Sequence, residues 1–240
     1  MSPIFDQSEF DIRCEWGPCA VAELSPISDA VIVIDVLSFT TCVEVAVSRG
    51  ATVFPYRLKD GSAQTFASEM NAELAGPRGR TRYSLSPVSL AQLPDGARIV
   101  LPSPNGSTLS LGTGTTPTFA GCLRNASAVA RAAMQIGPRI AVVPAGERWK
   151  GDDSLRPALE DWLGAGAIIS HIEGVLSPEA RAAAETFQTA HSDLPERLLA
   201  CSSGKELAAK GFASDVELAA ELDVSDCVPL LADGAYAAIS

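Results

Sequence analysis

At 240 residues, 47% hydrophobic and 20% charged, the chain is long enough to enclose a substantial core and too apolar to be disordered. A formal net charge of −11 with no Lys/Arg run argues against a nucleic-acid partner, though local arginines or a metal ion can reverse the field inside a cleft for a small anion. No stretch offers eighteen uninterrupted apolar residues, and the opening MSPIFDQSEFDIR has neither a basic end nor an apolar run, so the expectation is a cytoplasmic protein without membrane contact.

Residues 10–16 alternate weakly and read as an edge strand before a Gly17-Pro18 turn. The rest of the chain is organised around the stretch 30–50, AVIVIDVLSFTTCVEVAVSRG. Its opening is β-branched and apolar on both parities, the pattern of a strand buried on both faces of a parallel sheet, interrupted by one carboxylate, Asp35. Ser38, Thr40 and Thr41 then supply hydroxyls and capping side chains for a helix over 41–48, closed by Gly50. A strand thus delivers an acid and a helix N-terminus to one rim, where open α/β sheets bind anions such as phosphate. The alternative reading makes Asp35 only a capping or turn-stabilising acid.

Residues 51–57 predict a short strand that ends at Pro55 or lies near an edge, and 62–74 predict a helix stopped by Gly76-Pro77. The loop 76–82 holds Arg78, Arg80 and Arg82 among glycines, a possible anion clamp or a solvated turn. Residues 97–101 form the next buried strand, ending in PSPNGST, whose Asn105-Gly106 turn and Ser107 and Thr108 hydroxyls make a second polar rim. Residues 117–121 predict a strand, with Arg124 on the loop before a helix capped by Asn125 or Ser127 and running to Gln135. Residues 138–144 are another buried strand, followed by Ala145, Gly146, Glu147 and Arg148.

Four repetitions of strand, polar loop and helix predict an α/β fold with a mostly parallel or mixed central sheet, its polar loops collected along one edge. One domain over 1–240 is expected, with a subdivision near 115 conceivable. A long helix is predicted over 155–173, in which Glu160 and Asp161 point about 100° apart, so that both are not expected to face one core. Gly164 and Gly166 would let it sit close to a neighbour. Helices over 178–188, 194–200, 204–210 and 216–222 and a last strand at 228–231 read as covering structure. Cys14, Cys19, Cys42, Cys122, Cys201 and Cys227 lack metal-site spacing and read as reduced core thiols. His171 and His191 fall on no polar rim.

There is no GxSxG elbow, no GxxxxGK[ST] and no GxGxxG after the first strand, which sets aside serine hydrolases, P-loop NTPases and dinucleotide enzymes. The remaining pieces, IDVLSFTT, SPNGST, GCLRNASAVA, PAG and LEDWLGAGAI, in this order and spacing, resemble the 2-phosphosulfolactate phosphatase (ComB-like) family over about residues 30–175. The resemblance implies a three-layer α/β/α fold and a Mg²⁺-dependent phosphatase removing phosphate from 2-phosphosulfolactate on the route to coenzyme M. On that reading Asp35, Arg124 and Asn105 are catalytic. Ser38, Thr40, Thr41, Gly106, Ser107, Thr108, Asn125 and Arg148 bind substrate, and Asp35, Glu147, Glu160 and Asp161 supply the metal ligands. The chain departs from the family pattern at Ser38-Phe39, where an Arg is common, and at 84–87, and one of Arg78, Arg80, Arg82 or Arg148 would have to replace the guanidinium. A phosphatase for another small ester and a non-catalytic anion binder are the alternatives, and a homo-oligomer stays open.

Overall fold

The computed structural model describes residues 5–58 and 60–239; the first four residues, part of the opening read for export signals, lie outside them. In chain order the elements begin with β1 (Ile12–Cys14), α1 (Gly17–Leu24), β2 (Ala30–Ile34), α2 (Phe39–Ser48), β3 (Thr52–Tyr56), α3 (Gly61–Glu69) and β4 (Glu73–Leu74). Next come α4 (Pro87–Leu90), β5 (Arg98–Pro102), α5 (Gly106–Ser110), β6 (Thr118–Gly121), α6 (Ala126–Ile136) and β7 (Ile140–Pro144). A small hairpin of β8 (Glu147–Arg148) and β9 (Leu155–Arg156) leads into α7 (Leu159–Ile169), α8 (Pro178–Ala190), α9 (Leu194–Ala200), α10 (Ser202–Ala209) and α11 (Ala213–Ala219). The strands β10 (Pro229–Ala232) and β11 (Ala235–Ala238) close the chain.

Among the described residues nine strands make one mixed sheet in the order β1-β7-β2-β6-β10-β11-β3-β5-β4. Two parallel blocks, β1-β7-β2-β6 and β3-β5-β4, are joined by the antiparallel pair β10-β11, which pairs with β6 on one side and β3 on the other. The apolar run of β2 explains its central place. Ile32 and Ile34 point into a core shared with Val129 of α6, Ile168 of α7 and Phe187 of α8, while Val31 and Val33 join Val21 and Leu24 of α1 and Leu109 of α5 on the opposite face. Period-two alternation with apolar residues at both parities therefore produces helices on both sides and the three-layer architecture. On the β3-β5 side the same division recurs. Val53, Ile99 and Leu101 meet α2, whereas Phe54 and Val100 meet α3.

The predicted elements are mostly present, with instructive differences. β1 is an edge strand as expected, although its outer side is covered where Asp11 and Ile12 donate to the Val175 carbonyl. Gly17-Pro18 opens helix α1 instead of a turn, because proline in the first helical turn lacks only an N–H that would be unpaired anyway. β3 runs through Pro55 and lies inside the sheet; β11 pairs with it at Val53 alone, so the missing N–H of Pro55 breaks no ladder there. The helix expected to reach residue 74 stops at Glu69, and residues 73–74 become β4. The long helix expected from 155 begins only at Leu159, since Pro157 biases Arg156 to an extended conformation and frees residues 155–156 to pair with 147–148. Gly166 does bring α7 against α8: a Cβ there would lie 2.2 Å from the Ala183 carbonyl oxygen. The six cysteines are free; Cys14, Cys42, Cys122 and Cys201 are buried, but Cys19 is exposed and not a core thiol. No helix among the described residues is long and apolar enough to cross a membrane.

Candidate active site

The site is assembled where β2, β5 and β7 end. Asp35 follows β2 directly and is buried, with Oδ1 accepting the Phe39 N–H at 3.2 Å and Oδ2 accepting the Gly106 N–H at 2.9 Å. The first bond is the local cap that the alternative reading of Asp35 expects. The second joins it to a residue 71 positions away, at the start of α5, which a purely local capping acid does not require. The two N–H donors favour the carboxylate, but burial outweighs them and, with the nearby Glu147 and Glu160 charges, pushes Asp35 up to about 6.

Three further acids surround it. Asp161, on the first turn of α7, accepts the Val36 N–H through Oδ1 at 2.8 Å and the Gly146 N–H through Oδ2 at 2.9 Å, which ties the exits of β2 and β7 together. Burial foremost, then the charges of Glu160 and Asp35, holds it well above the usual carboxylate range. Glu160 is also buried, contrary to the expectation for adjacent helical carboxylates: α7 is covered on both flanks, and the Cys201 thiol donates to Glu160 Oε2 at 3.3 Å. Glu147 Oε1 accepts from the Asn105 side-chain amide and from the Arg148 N–H, both at 2.9 Å. Two predicted residues from separate loops, Asn105 and Glu147, are therefore in direct contact.

The other predicted residues divide. Thr40 Oγ1 accepts the Asp35 N–H at 3.0 Å, and Thr41 Oγ1 donates to the Val36 carbonyl at 2.8 Å, so both hydroxyls brace the strand exit. Ser107 Oγ donates to the Leu101 carbonyl in the same way at the end of β5. Thr108, Asn105 and Arg148 line a narrow crevice of about 20 Å³, although the Arg148 guanidinium turns to Asp153. A Cβ on Gly106 would fall 2.2 Å from Phe39 Cδ1 and 2.8 Å from Asp35 Oδ2, so the close approach demands glycine. Asn125 is enclosed in backbone bonds to Cys122, Ala120 and Cys227. Arg124 Nε pairs with the fully buried Glu44 at 2.6 Å, and Nη1 reaches Glu221 and the Leu218 carbonyl. These contacts commit Arg124 to α2 and α11, and none of them is with Asp35, Asn105 or Glu147.

The chain is similar to known proteins over most of its length. The profile described as 2-phosphosulpholactate phosphatase matches residues 19–234, well beyond the span that carries the sequence motifs. The chain belongs to the 2-phosphosulfolactate phosphatase family. It is 34% identical over 209 residues to a protein of Carboxydothermus hydrogenoformans named a probable 2-phosphosulfolactate phosphatase, covering 83% of this chain and 85% of that one. The 2-phosphosulfolactate phosphatase of Methanothermobacter thermautotrophicus is 29% identical, covering 85% and 87%, and a probable one from Gloeobacter violaceus is 30% identical, covering 88% and 91%.

Within this family member one contact selects among the four arginines that could replace the missing guanidinium. Arg78, from the arginine-bearing loop, donates Nη2 to Ser38 Oγ at 2.6 Å, placing a guanidinium beside the start of α2 where the sequence has Ser38-Phe39. Its Nε lies 3.5 Å from Asp215 Oδ2 on α11, and its guanidinium sits 5.7 Å from the Phe212 ring centroid. Asp215 carried no sequence signal, being one acid among many on a covering helix. Among the described residues Arg80 and Arg148 make no such approach, and Arg82 packs locally over Tyr83.

The donor set suits a hard divalent cation of the Mg²⁺ kind, which takes one or two carboxylates and fills its remaining positions with water and phosphate oxygen. Asp161 has each oxygen on a backbone N–H, and Glu147 has Oε2 without a partner among the described residues. Among those residues no three acidic, histidine or cysteine side chains are placed to hold a metal ion together, so such an ion would take at most two carboxylates from the chain. Asp35 carries two backbone N–H bonds just as Asp161 does, but it and Glu147 are held by the adjacent residues Gly106 and Asn105, which makes them the pair that could share such an ion.

Proposed function

We propose that this chain is a Mg²⁺-dependent phosphoric monoester hydrolase acting on the phosphate ester of a small 2-hydroxy acid. 2-Phosphosulfolactate, the ester in the relatives' names, is the first substrate to test. The reaction adds water across the phosphorus–oxygen bond and yields the free 2-hydroxy acid and inorganic phosphate. The observation that supports the reading best is Asp35, a buried carboxylate gripped by two backbone N–H groups from different loops and repelled by Glu147 and Glu160. A buried carboxylate beside other negative charges is costly unless a cation joins it.

Asp35 and Glu147 would hold the ion, which when bound would neutralise phosphoryl oxygens and lower the pKa of a coordinated water. The chain's own residues then orient and shield. Asn105 fixes the Glu147 carboxylate, Gly106 and Phe39 fix Asp35, and Asp161 clamps the two strand exits that carry Val36 and Gly146. Thiols left free in an acidic chain suit the cytoplasm.

A different small ester is the second reading, and the Ser38–Arg78 contact favours it because that contact alters the anion-binding groups beside α2. Phosphate release from a panel of esters, measured with Mg²⁺ and with EDTA, tests both. Turnover that needs Mg²⁺ and falls at least a hundredfold in a folded Asp35→Asn variant is expected. Undiminished turnover in that variant would remove Asp35 from the reaction.

A further inference from the structure

A cavity of about 430 Å³ opens beside Arg78, within the size range of small-molecule sites. Its walls are apolar: Ala63 of α3, Leu74 of β4, Ala75, Leu85 and Pro102 at the end of β5. Two charged residues, Asp60 and Arg78, complete the lining. The Asp60 carboxylate caps α3 through Oδ1, which accepts both the Ser62 N–H at 3.0 Å and the Ser62 hydroxyl. Arg78 is different. It donates Nη2 to Ser38, while Nε is buried without a hydrogen-bond acceptor and Nη1 has none among the described residues. The buried Nε faces Asp215 in the ion pair, which together with the Phe212 ring holds the guanidinium in place and leaves Nη1 over for a ligand.

The cavity is tied to the candidate active site by one side-chain contact and by one short stretch of chain. Ser38, the partner of Arg78, precedes Phe39, whose N–H holds Asp35. Pro102 leads within four residues to Gly106, which holds the other oxygen of Asp35. We infer that the cavity receives the carbon skeleton of the substrate and that Arg78 pairs with its carboxylate. The preferred ester therefore carries an apolar side chain larger than that of lactate. A second acidic group such as a sulfonate would sit against alanine, leucine and proline walls with its oxygens unpartnered, which burial penalises. The inference rests on the phosphatase reading for its setting, but the cavity makes a prediction of its own.

The experiment compares kcat/KM for 2-phospholactate, 2-phosphosulfolactate and the phosphate ester of 2-hydroxy-4-methylpentanoate in wild type, Arg78→Ala and Ala63→Leu. Wild type is expected to prefer the branched ester at least tenfold over both others, and Ala63→Leu to reduce that preference at least tenfold. Leu85→Phe, which narrows the cavity from another wall, repeats the test should Ala63→Leu fail to fold. Preference for the sulfonated ester, or a preference that both cavity variants leave unchanged, overturns the inference. Binding of 2-hydroxy-4-methylpentanoate itself, followed by NMR, separates the two proposals. Binding to wild type that is lost in Arg78→Ala upholds the cavity assignment even if no ester is hydrolysed, a result that would end the phosphatase reading alone. No binding to wild type overturns the assignment even if esters are hydrolysed.

Discussion

Gly106 donates its backbone N–H to Asp35 Oδ2 at 2.9 Å, and the space a side chain would need is already filled by the Phe39 ring. Helix α5 can approach the exit of β2 only because residue 106 has no Cβ. Gly106→Ala is expected to push α5 outward, strip Asp35 of one donor and lower phosphate release at least tenfold. Overpacking of this kind costs about 1–3 kcal/mol, so the variant should still fold. A Gly106→Ala protein with wild-type turnover would show that this bond does not position Asp35.

Asp161 clamps two strand exits with two oxygens, and the variants Asp161→Ala and Asp161→Asn separate that role from metal binding. The alanine variant leaves the Val36 and Gly146 N–H groups without acceptors, at about 1–3 kcal/mol each, and should lose about 2–5 kcal/mol in denaturant titration. Asparagine keeps one acceptor and removes the buried charge, so its stability should stay within about 2 kcal/mol of wild type. If Asp161 is mainly a clamp, Asp161→Asn retains far more turnover than Asp35→Asn. Equal losses in the two would make Asp161 a ligand.

How far these features were legible in the sequence differs from residue to residue. The run from 30 to 34 announced a central strand because apolar residues at both parities need cover on both faces, and Asp35 stood out as the acid breaking that pattern. Asn105–Gly106 stood out as a tight turn needing positive φ, but the structure makes Asn105 the N-cap and Gly106 the first residue of α5, with neither at positive φ. The long-range pairings were not visible. The sequence has no sign that Asp161 reaches back 125 residues to Val36, or that Glu44, in an ordinary helix, is the partner of Arg124. Arg78 was one of three loop arginines, and only its contacts with Ser38 before α2 and Asp215 on α11 select it. The hairpin at the C-terminus was readable after all: Asp233-Gly234 is a tight-turn dipeptide with both residues at positive φ, flanked by residues that pair as β10 and β11.

Arg124 is the residue whose catalytic and structural roles make opposite predictions. Glu44 is fully buried, so Arg124→Ala leaves a carboxylate without its cation and is expected to cost about 3–5 kcal/mol. Adding Glu44→Gln should recover most of that loss, because the buried charge goes with its partner. If Arg124 serves the fold, the double variant regains turnover along with stability. A double variant that is stable yet inactive by a thousandfold would make Arg124 a phosphate clamp.

Asp35 also gives the molecule a pH signature. Its folded pKa, about 6, lies above the ordinary value of 3.8, so the folded state binds the proton more tightly than the unfolded one. The stability that this group contributes is therefore complete below about pH 4 and is lost as pH rises through about 6, a change on the order of 3 kcal/mol. Acids whose pKa is depressed by hydrogen bonds, such as Asp29 beside Arg139, act in the opposite sense, so the difference between variants carries the test. Chemical denaturation in EDTA at pH 4.5 and 7.5 should show wild type losing stability relative to Asp35→Asn as pH rises. Mg²⁺ should cancel the loss at pH 7.5, since an ion held by Asp35 favours the ionised form. Parallel pH profiles for the two proteins would place the Asp35 pKa near its unfolded value and remove the electrostatic basis for a cation at this site.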